Sequence, residues 1–459
     1  MLASPHPISA MALSTRMARW LLDLRSDQVS ADRLHRVRII LLDFLGCALG
    51  ASQLPEAMTV APLVRPGPFR VPGHAQTMDL ASACIAWGLN GALLQWHDGY
   101  GRGGNHPSSS VLPALLAQTA DWGSLLMPAL VGYEVANRLA QTTHPAQTLA
   151  GSAPTSSMGA IGAAAALCRW LGLDVTATAR ALSLAGFWAP IAAFEGLRAR
   201  GSAVPLHSGL AARAGCEAVE MARAGFEASE ALLEGAGGPG LLTFLGGSDH
   251  AIKALAPEGW RGDTLDQVYL KPFPGCRHVH PAVEAALGVR RRCGSHPARW
   301  TSIDIDTYAL AASFGAMPRP DAELYDCLMS LPWCVALALL QGTPTADAVS
   351  AERARADLWS IATRVNIRTD AAHEAAYPAR LGATITIRHH DGAVIQESAT
   401  LRYASAGASY SPEGPFGPVL NEQGCIDKFM SLTSRVLAPS ERNALVKAIL
   451  SASPTPITS

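Results

Sequence analysis

The densest group of chemically capable side chains runs from His97 to Ser110, His-Asp-Gly-Tyr-Gly-Arg-Gly-Gly-Asn-His-Pro-Ser-Ser-Ser. Four glycines and one proline in fourteen residues exclude an ordinary helix and predict a loop. That loop can hold two imidazoles (His97, His106), a carboxylate (Asp98) and a guanidinium (Arg102) near one point, the ingredients of general acid and base catalysis on an anionic substrate. The plain structural alternative is a solvated loop whose Ser108 or Ser109 caps a helix beginning near Val111.

A second cluster, Lys271-Pro-Phe-Pro-Gly-Cys276-Arg-His278-Val-His280-Pro281, sits where the character of the chain changes. Cys276, His278 and His280 alternate like metal ligands on one strand face, but no C-x-x-C or H-x-x-x-H partner completes a site. Proton transfer or anion binding suits the cluster better, and no metal is expected. Glu234 to Gly240 is glycine-rich but lacks a following Gly-Lys-Ser/Thr, and Pro239 removes an amide donor, so it reads as a helix end and turn. In Gly247-Ser248-Asp249-His250 three triad residue types stand side by side, where consecutive side chains diverge.

These groups need a scaffold, and the spacing supplies one. From about Ser14 to Asp266 apolar residues recur at helical spacing, over Arg33–Ala51, Val111–Ala120, Leu125–Gln141, Gly159–Leu171 and Leu210–Ala224. Beyond Lys271 a helix is expected over Pro281–Arg292 and a buried one over Leu331–Leu340. Strands are expected over Ser302–Tyr308 and Arg364–Arg368, and a hairpin joins Ala383–His389 to Ala393–Leu401 through Asp391-Gly392. Helix returns at about Gly417 and ends in a Pro/Ser/Thr tail from Ser451. The fold class is therefore mainly α with an inserted α+β domain: a large helical domain from residues 1–267 and 403–459, and a smaller lid domain over 268–402. A ligand site belongs in the cleft between them.

Composition narrows the partner. The 459 residues are 49% apolar and 16% charged, and 36 basic against 37 acidic residues give a net charge of −1, which offers no footprint for nucleic acid or an anionic membrane. A small molecule is expected. Only Lys253, Lys271, Lys428 and Lys447 are lysines, so any step that needs an ammonium has four positions to choose from. Nine cysteines without a C-x-x-C pair fit a reducing cytoplasm. Met1 to Arg19 lacks the continuous apolar run of a secretory signal, and no stretch is apolar enough to predict a membrane span.

Taken in order, these segments resemble the MmgE/PrpD family, whose members include 2-methylcitrate dehydratase, cis-aconitate decarboxylase and iminodisuccinate epimerase. The resemblance rests on Leu41-Leu42-Asp43-Phe44-Leu45-Gly46, His106-Pro107-Ser108, Gly132-Tyr133-Glu134-Val135, Gly159 to Ala165, His207-Ser208-Gly209, Leu233-Glu234-Gly235 and Lys271-Pro272-Phe273-Pro274 with Cys276 and His280. It implies a helical domain with a smaller lid, a homodimer, no cofactor, and an active site between the domains. Carried over, it makes Asp98, His106 and His280 catalytic and Lys271 the carboxylate anchor.

The chain also departs from that pattern. Trp96 stands in place of an aspartate, Ala153 of a histidine, Val204 of a lysine and Trp333 of a tyrosine. Trp96 and Trp333 are expected to line the substrate site, with His97 and Arg102 compensating for Ala153 and Val204. The expected activity is a lyase, dehydratase or decarboxylase, that abstracts a proton next to a carboxylate on an acid other than 2-methylcitrate. An isomerase, epimerase or cyclase on the same scaffold, or a catalytically silent homologue that binds a ligand or partner, are the other readings.

Overall fold

A computed structural model describes residues 11–193, 203–318, 324–345, 355–402 and 420–455. The expected return to helix at Gly417, the boundary at residue 403, the first ten residues and the last four lie outside the described residues.

The first half is a stack of helices: α1 (Leu13–Asp23), α2 (Ala31–Ala51), α3 (Leu80–Leu93), α4 (Pro107–Leu116), α5 (Trp122–Thr143), α6 (Pro154–Leu171), α7 (Val175–Phe187) and α8 (Ala203–Arg223). Their starts are set by short polar residues that accept an exposed backbone N–H: Ser30 from Arg33, Asp79 from Ser82, Asp121 from Gly123 and Asp174 from Ala177. Helix α6 stops at Gly172, which adopts the left-handed conformation at φ 63°. Small residues set how closely these helices approach. A Cβ on Gly88 of α3 would lie 2.4 Å from the Cα of Gly209 in α8, so the two backbones touch where only glycine fits.

A two-stranded ribbon joins β1 (Gly99–Tyr100) to β2 (Val268–Tyr269) antiparallel, pairing Gly99 with Tyr269 and Tyr100 with Val268. Two residues per strand carry no periodicity, so this link was not legible in the sequence, yet it fixes the polar loop against the second cluster.

Beyond it lie α9 (His280–Cys293) and a four-stranded sheet of β3 (Trp300–Thr307), β4 (Val365–Thr369), β5 (Arg380–His389) and β6 (Val394–Arg402), in the order β4-β3-β5-β6. Strands β3 and β4 are parallel; β3–β5 and β5–β6 are antiparallel. The hairpin turns at Asp391-Gly392, where Gly392 takes φ 85°. Ile303, Ile305, Ile385 and Ile387 are fully buried and share a core with α9 and the apolar helix α10 (Leu331–Gln341). The last helices, α11 (Glu422–Leu432) and α12 (Pro439–Leu450), pack on α2, and Cys425, Phe429 and Ile449 join the core of the helical stack. The architecture is thus mainly helical with a smaller sheet-containing region. Among the described residues no single helix is long and apolar enough to cross a membrane.

Candidate active site

Helix α3 ends at Leu93, and Gln95 turns the chain sharply with φ 48°, unusual for a residue that carries a Cβ. That turn is held from three sides. The Gln95 carbonyl accepts from Lys271 Nζ at 2.8 Å, Trp96 Nε1 donates to the Lys271 carbonyl at 3.0 Å, and Lys428 Nζ donates to the Trp96 carbonyl at 2.6 Å while pairing with Asp43 at 2.6 Å. The polar loop is therefore anchored before its functional residues begin.

Asp98 is fully buried behind the loop. Its Oδ1 accepts from Ser108 Oγ at 2.6 Å and from the Ser108 N–H at 3.2 Å, and its Oδ2 accepts from Tyr133 Oη at 2.8 Å. Burial raises this carboxyl to about 6 despite those three donors. Helix α4 starts at Pro107 rather than near Val111, and Ser108 does not cap it. Pro107 lacks an N–H and suits the first helical position, while the Asp98 side chain reaches in to satisfy the next donor.

His106 sits at the head of α4. Its N–H donates to Thr155 Oγ1 at 2.9 Å, and its ring Nδ1 lies 2.6 Å from the Asp98 carbonyl oxygen. A carbonyl can only accept, so Nδ1 carries the proton and Nε2 keeps its lone pair. Burial, and next the Lys271 charge, push His106 well below the usual histidine range, so the ring is neutral at pH 7. The His97 ring lies 4.9 Å away, centroid to centroid, and burial depresses it likewise.

Both rings open on a cavity of about 80 Å³, large enough to hold ordered water. Five histidines line it: His97, His106, His144, His207 and His278. Four of them are turned by a local hydrogen-bond partner, whereas the buried His97 Nδ1 has none. His144 Nδ1 meets Thr148 Oγ1 at 3.1 Å, His207 Nδ1 donates to the Val204 carbonyl, and His278 Nδ1 meets Tyr308 Oη at 2.7 Å. Burial lowers all of them, His144 to about 4 and His278 to about 3. The cavity is thus walled by uncharged imidazoles, each able to give or take a proton. Arg277 is in the same wall, its guanidinium 4.3 Å from the centre of the Tyr269 ring.

The structure brings only some of the sequence-derived candidates together. His97 and His106 are in the wall, as are Ala153 and Val204; Asp98 lies behind it. Lys271 is completely buried and spends its ammonium on Gln95; burial brings it down to about 7. His280 is not in the wall: it opens α9, packs on the Phe273 ring at 4.3 Å, and neither nitrogen makes a well-formed hydrogen bond. His278 and His280 do not share a strand face, because residues 277–279 form a turn that leads into the helix. The side chains of Trp96, Trp333 and Arg102 are outside the wall as well. Trp96 is tied to Lys271, Trp333 is fully buried in the second core, and Arg102 sits on the Gly101–Gly104 turn.

Sequence reasoning passed over His144, His207, Arg277 and Tyr269 as site residues. His207 and Arg277 lay inside segments singled out for other residues, whereas His144 and Tyr269 stand in otherwise ordinary helix-end and loop sequence. Among the described residues no three His, Cys, Asp or Glu side chains are grouped as they would be around a metal ion.

Comparison with known proteins agrees with this architecture. A mouse cis-aconitate decarboxylase is 26% identical over 370 residues, 77% of this chain and 71% of its own length. The human cis-aconitate decarboxylase is 32% identical over 207 residues, 43% of this chain and 40% of its own length. A cis-aconitate decarboxylase-like protein of Aspergillus oryzae is 22% identical across 96% of this chain and 94% of its own. The profile of the MmgE/PrpD N-terminal domain matches residues 15–251 and that of the C-terminal domain residues 273–452. With most of its length covered by the two profiles in order, the chain belongs to the MmgE/PrpD family.

Proposed function

We propose that this protein is a lyase that removes water or carbon dioxide from a small carboxylic acid by moving a proton at the carbon next to a carboxylate. The family and the cis-aconitate decarboxylase relatives support dehydratase- or decarboxylase-type chemistry at family level. The observation that carries the reading here is His106: its Nδ1–H is committed to the Asp98 carbonyl, which leaves Nε2 as a fixed, neutral base in a cavity wall.

In a dehydration, Nε2 of His106 takes the α-proton and becomes an imidazolium, the electron pair enters the carboxylate-stabilised enolate, and that imidazolium, directly or through a neighbouring ring, protonates the departing hydroxyl, so that water leaves and the rings end neutral. In a decarboxylation, the C–C bond breaks, its pair stays on the carbon as carbon dioxide leaves, and the carbon takes one proton that a cavity imidazole has drawn from solvent. His97 and His278 supply the second proton carrier in either case. The same reading carries a homodimeric assembly, which light scattering checks.

The test is mass spectrometry of the purified protein with cis-aconitate, citrate, 2-methylcitrate and smaller hydroxy and unsaturated acids in heavy water. Loss of water or carbon dioxide that disappears in His106→Gln supports the lyase. Deuterium uptake without mass loss makes it an isomerase or epimerase, and no change on any acid by a folded protein favours a silent homologue.

A further inference from the structure

Arg277 is 7% exposed, and its guanidinium is in the wall of the histidine cavity. One face of the guanidinium is covered by the Tyr269 ring, held in place through β1 and β2. Its Nε is buried without a hydrogen-bond partner, and no carboxylate among the described residues forms an ion pair with it. Glu284, one turn into α9, feels its charge without pairing with it. The effect of that charge is written on its neighbours. After burial itself, Arg277 is among the causes that lower Lys271, His278 and His280, so the surrounding bases give up protons in its favour. A buried cation is tolerated when something anionic meets it, and the planar fork of an arginine matches a carboxylate at two points. The lining also includes the apolar side chains of Ala153 and Val204, which offer a ligand no donor or charge, and Phe314, which stacks on the His278 ring. A second carboxylate set against Ala153 and Val204 would be stripped of water beside methyl groups with no partner of opposite charge.

We propose that Arg277 is the carboxylate anchor of this site, and that it selects a small acid with one carboxylate on its guanidinium and an uncharged arm along Ala153 and Val204. This rests on the histidine cavity being the catalytic one, and it names the substrate class that the lyase reading leaves open.

Binding without turnover tests it, with butyrate, succinate and tricarballylate as probes followed by ligand-observed NMR on the intact protein. Wild type binds butyrate at least about tenfold more tightly than succinate or tricarballylate, whose further carboxylates meet Ala153 and Val204. Arg277→Gln loses at least about tenfold for butyrate, and Arg277→Lys keeps part of the affinity. A second measurement needs no variant. An arginine stays charged, so butyrate affinity holds within about threefold from about pH 7 to about pH 9; an anchor at Lys271 would lose about tenfold per pH unit over that range.

Succinate or tricarballylate binding as tightly as butyrate or tighter, unchanged butyrate binding by a folded Arg277→Gln, a steep loss with pH, or no binding of any probe overturns the proposal. Butyrate held by Arg277 in a protein that transforms no acid supports the anchor while defeating the lyase.

Discussion

The Nδ1 atom of His106 lies 2.6 Å from the carbonyl oxygen of Asp98, not from its carboxylate, which is engaged 2.6 Å from Ser108 Oγ and 2.8 Å from Tyr133 Oη. The backbone of residue 98 therefore fixes the imidazole tautomer, and the side chain fixes the loop on α4. The two roles separate in mutants. His106→Gln is expected to lower kcat by a factor of about 10² to 10⁴, the range of a lost general base, with little change in melting temperature. Asp98→Asn keeps the carbonyl; it should cost about 1–3 kcal/mol of stability through a mismatched buried partner and leave kcat within about tenfold. A kcat loss above about a hundredfold in Asp98→Asn at unchanged stability would assign the carboxylate a proton-transfer role instead.

The helices were legible because their apolar spacing and caps agree, as in α2, where Ser30 caps a buried stripe through Val37, Ile40, Leu41 and Phe44. The sheet was legible for a like reason: Ile303 and Ile305 alternate with Asp304 and Asp306, and Asp391-Gly392 marks the turn. The cavity was legible only in part. His97 and His106 stood out because glycine-rich sequence flanks them. His144 lacked such a flag, and what brings it to the cavity is the packing of α5 against α6, a contact between distant segments. The hydrogen bonds of Lys271 and Trp96 to Gln95, Lys428 and each other were hidden for the same reason, since they join distant segments.

His278 and His280, two residues apart, should respond differently to substitution. His278 is in the cavity wall with Nδ1 2.7 Å from the Tyr308 hydroxyl, whereas His280 is packed on Phe273 behind the wall. His278→Asn is expected to lower kcat/KM by about ten- to a hundredfold. Tyr308→Phe, which frees the ring without removing it, should fall between that variant and wild type and alter the pH–rate profile. His280→Asn should lower the melting temperature while kcat/KM stays within about tenfold. Steady-state kinetics beside thermal denaturation checks the set, and the reverse ranking would place His280 in the chemistry.

Stability should fall on mild acidification. His144, near 4, and His278, near 3, stay neutral in the folded protein well below the point where an unfolded chain protonates them, and His97, His106 and His280 are depressed in the same direction. The unfolded state therefore binds more protons below about pH 6.5, and each such histidine removes up to about 1.4 kcal/mol per pH unit as the pH drops. Asp98, raised to about 6, and Glu134, raised to about 7, act oppositely, since the folded state then binds the extra proton between about pH 4 and those values. The histidines outnumber them, so the urea midpoint should decrease from about pH 7 to about pH 5. A midpoint that holds or rises over that interval would show that the rings are charged in the folded state.

Lys428 in α11 and Asp43 in α2 form an ion pair at 2.6 Å, with side chains 3% and 1% exposed, and the same ammonium donates to the Trp96 carbonyl directly before His97. Removing the lysine alone strands a buried carboxylate, so Lys428→Met should cost about 3–5 kcal/mol. Adding Asp43→Leu removes the stranded charge, and the double variant should be more stable than Lys428→Met by itself, because two apolar side chains replace a desolvated pair. The Trp96 carbonyl still lacks its donor in that double variant, which loosens the turn carrying His97. Recovered stability with unrecovered kcat is therefore the expected pattern, read by urea denaturation and turnover on the same four proteins. If the double variant instead loses the sum of the two single costs, the residues do not interact and the pair is not what ties the loop to the C-terminal helices.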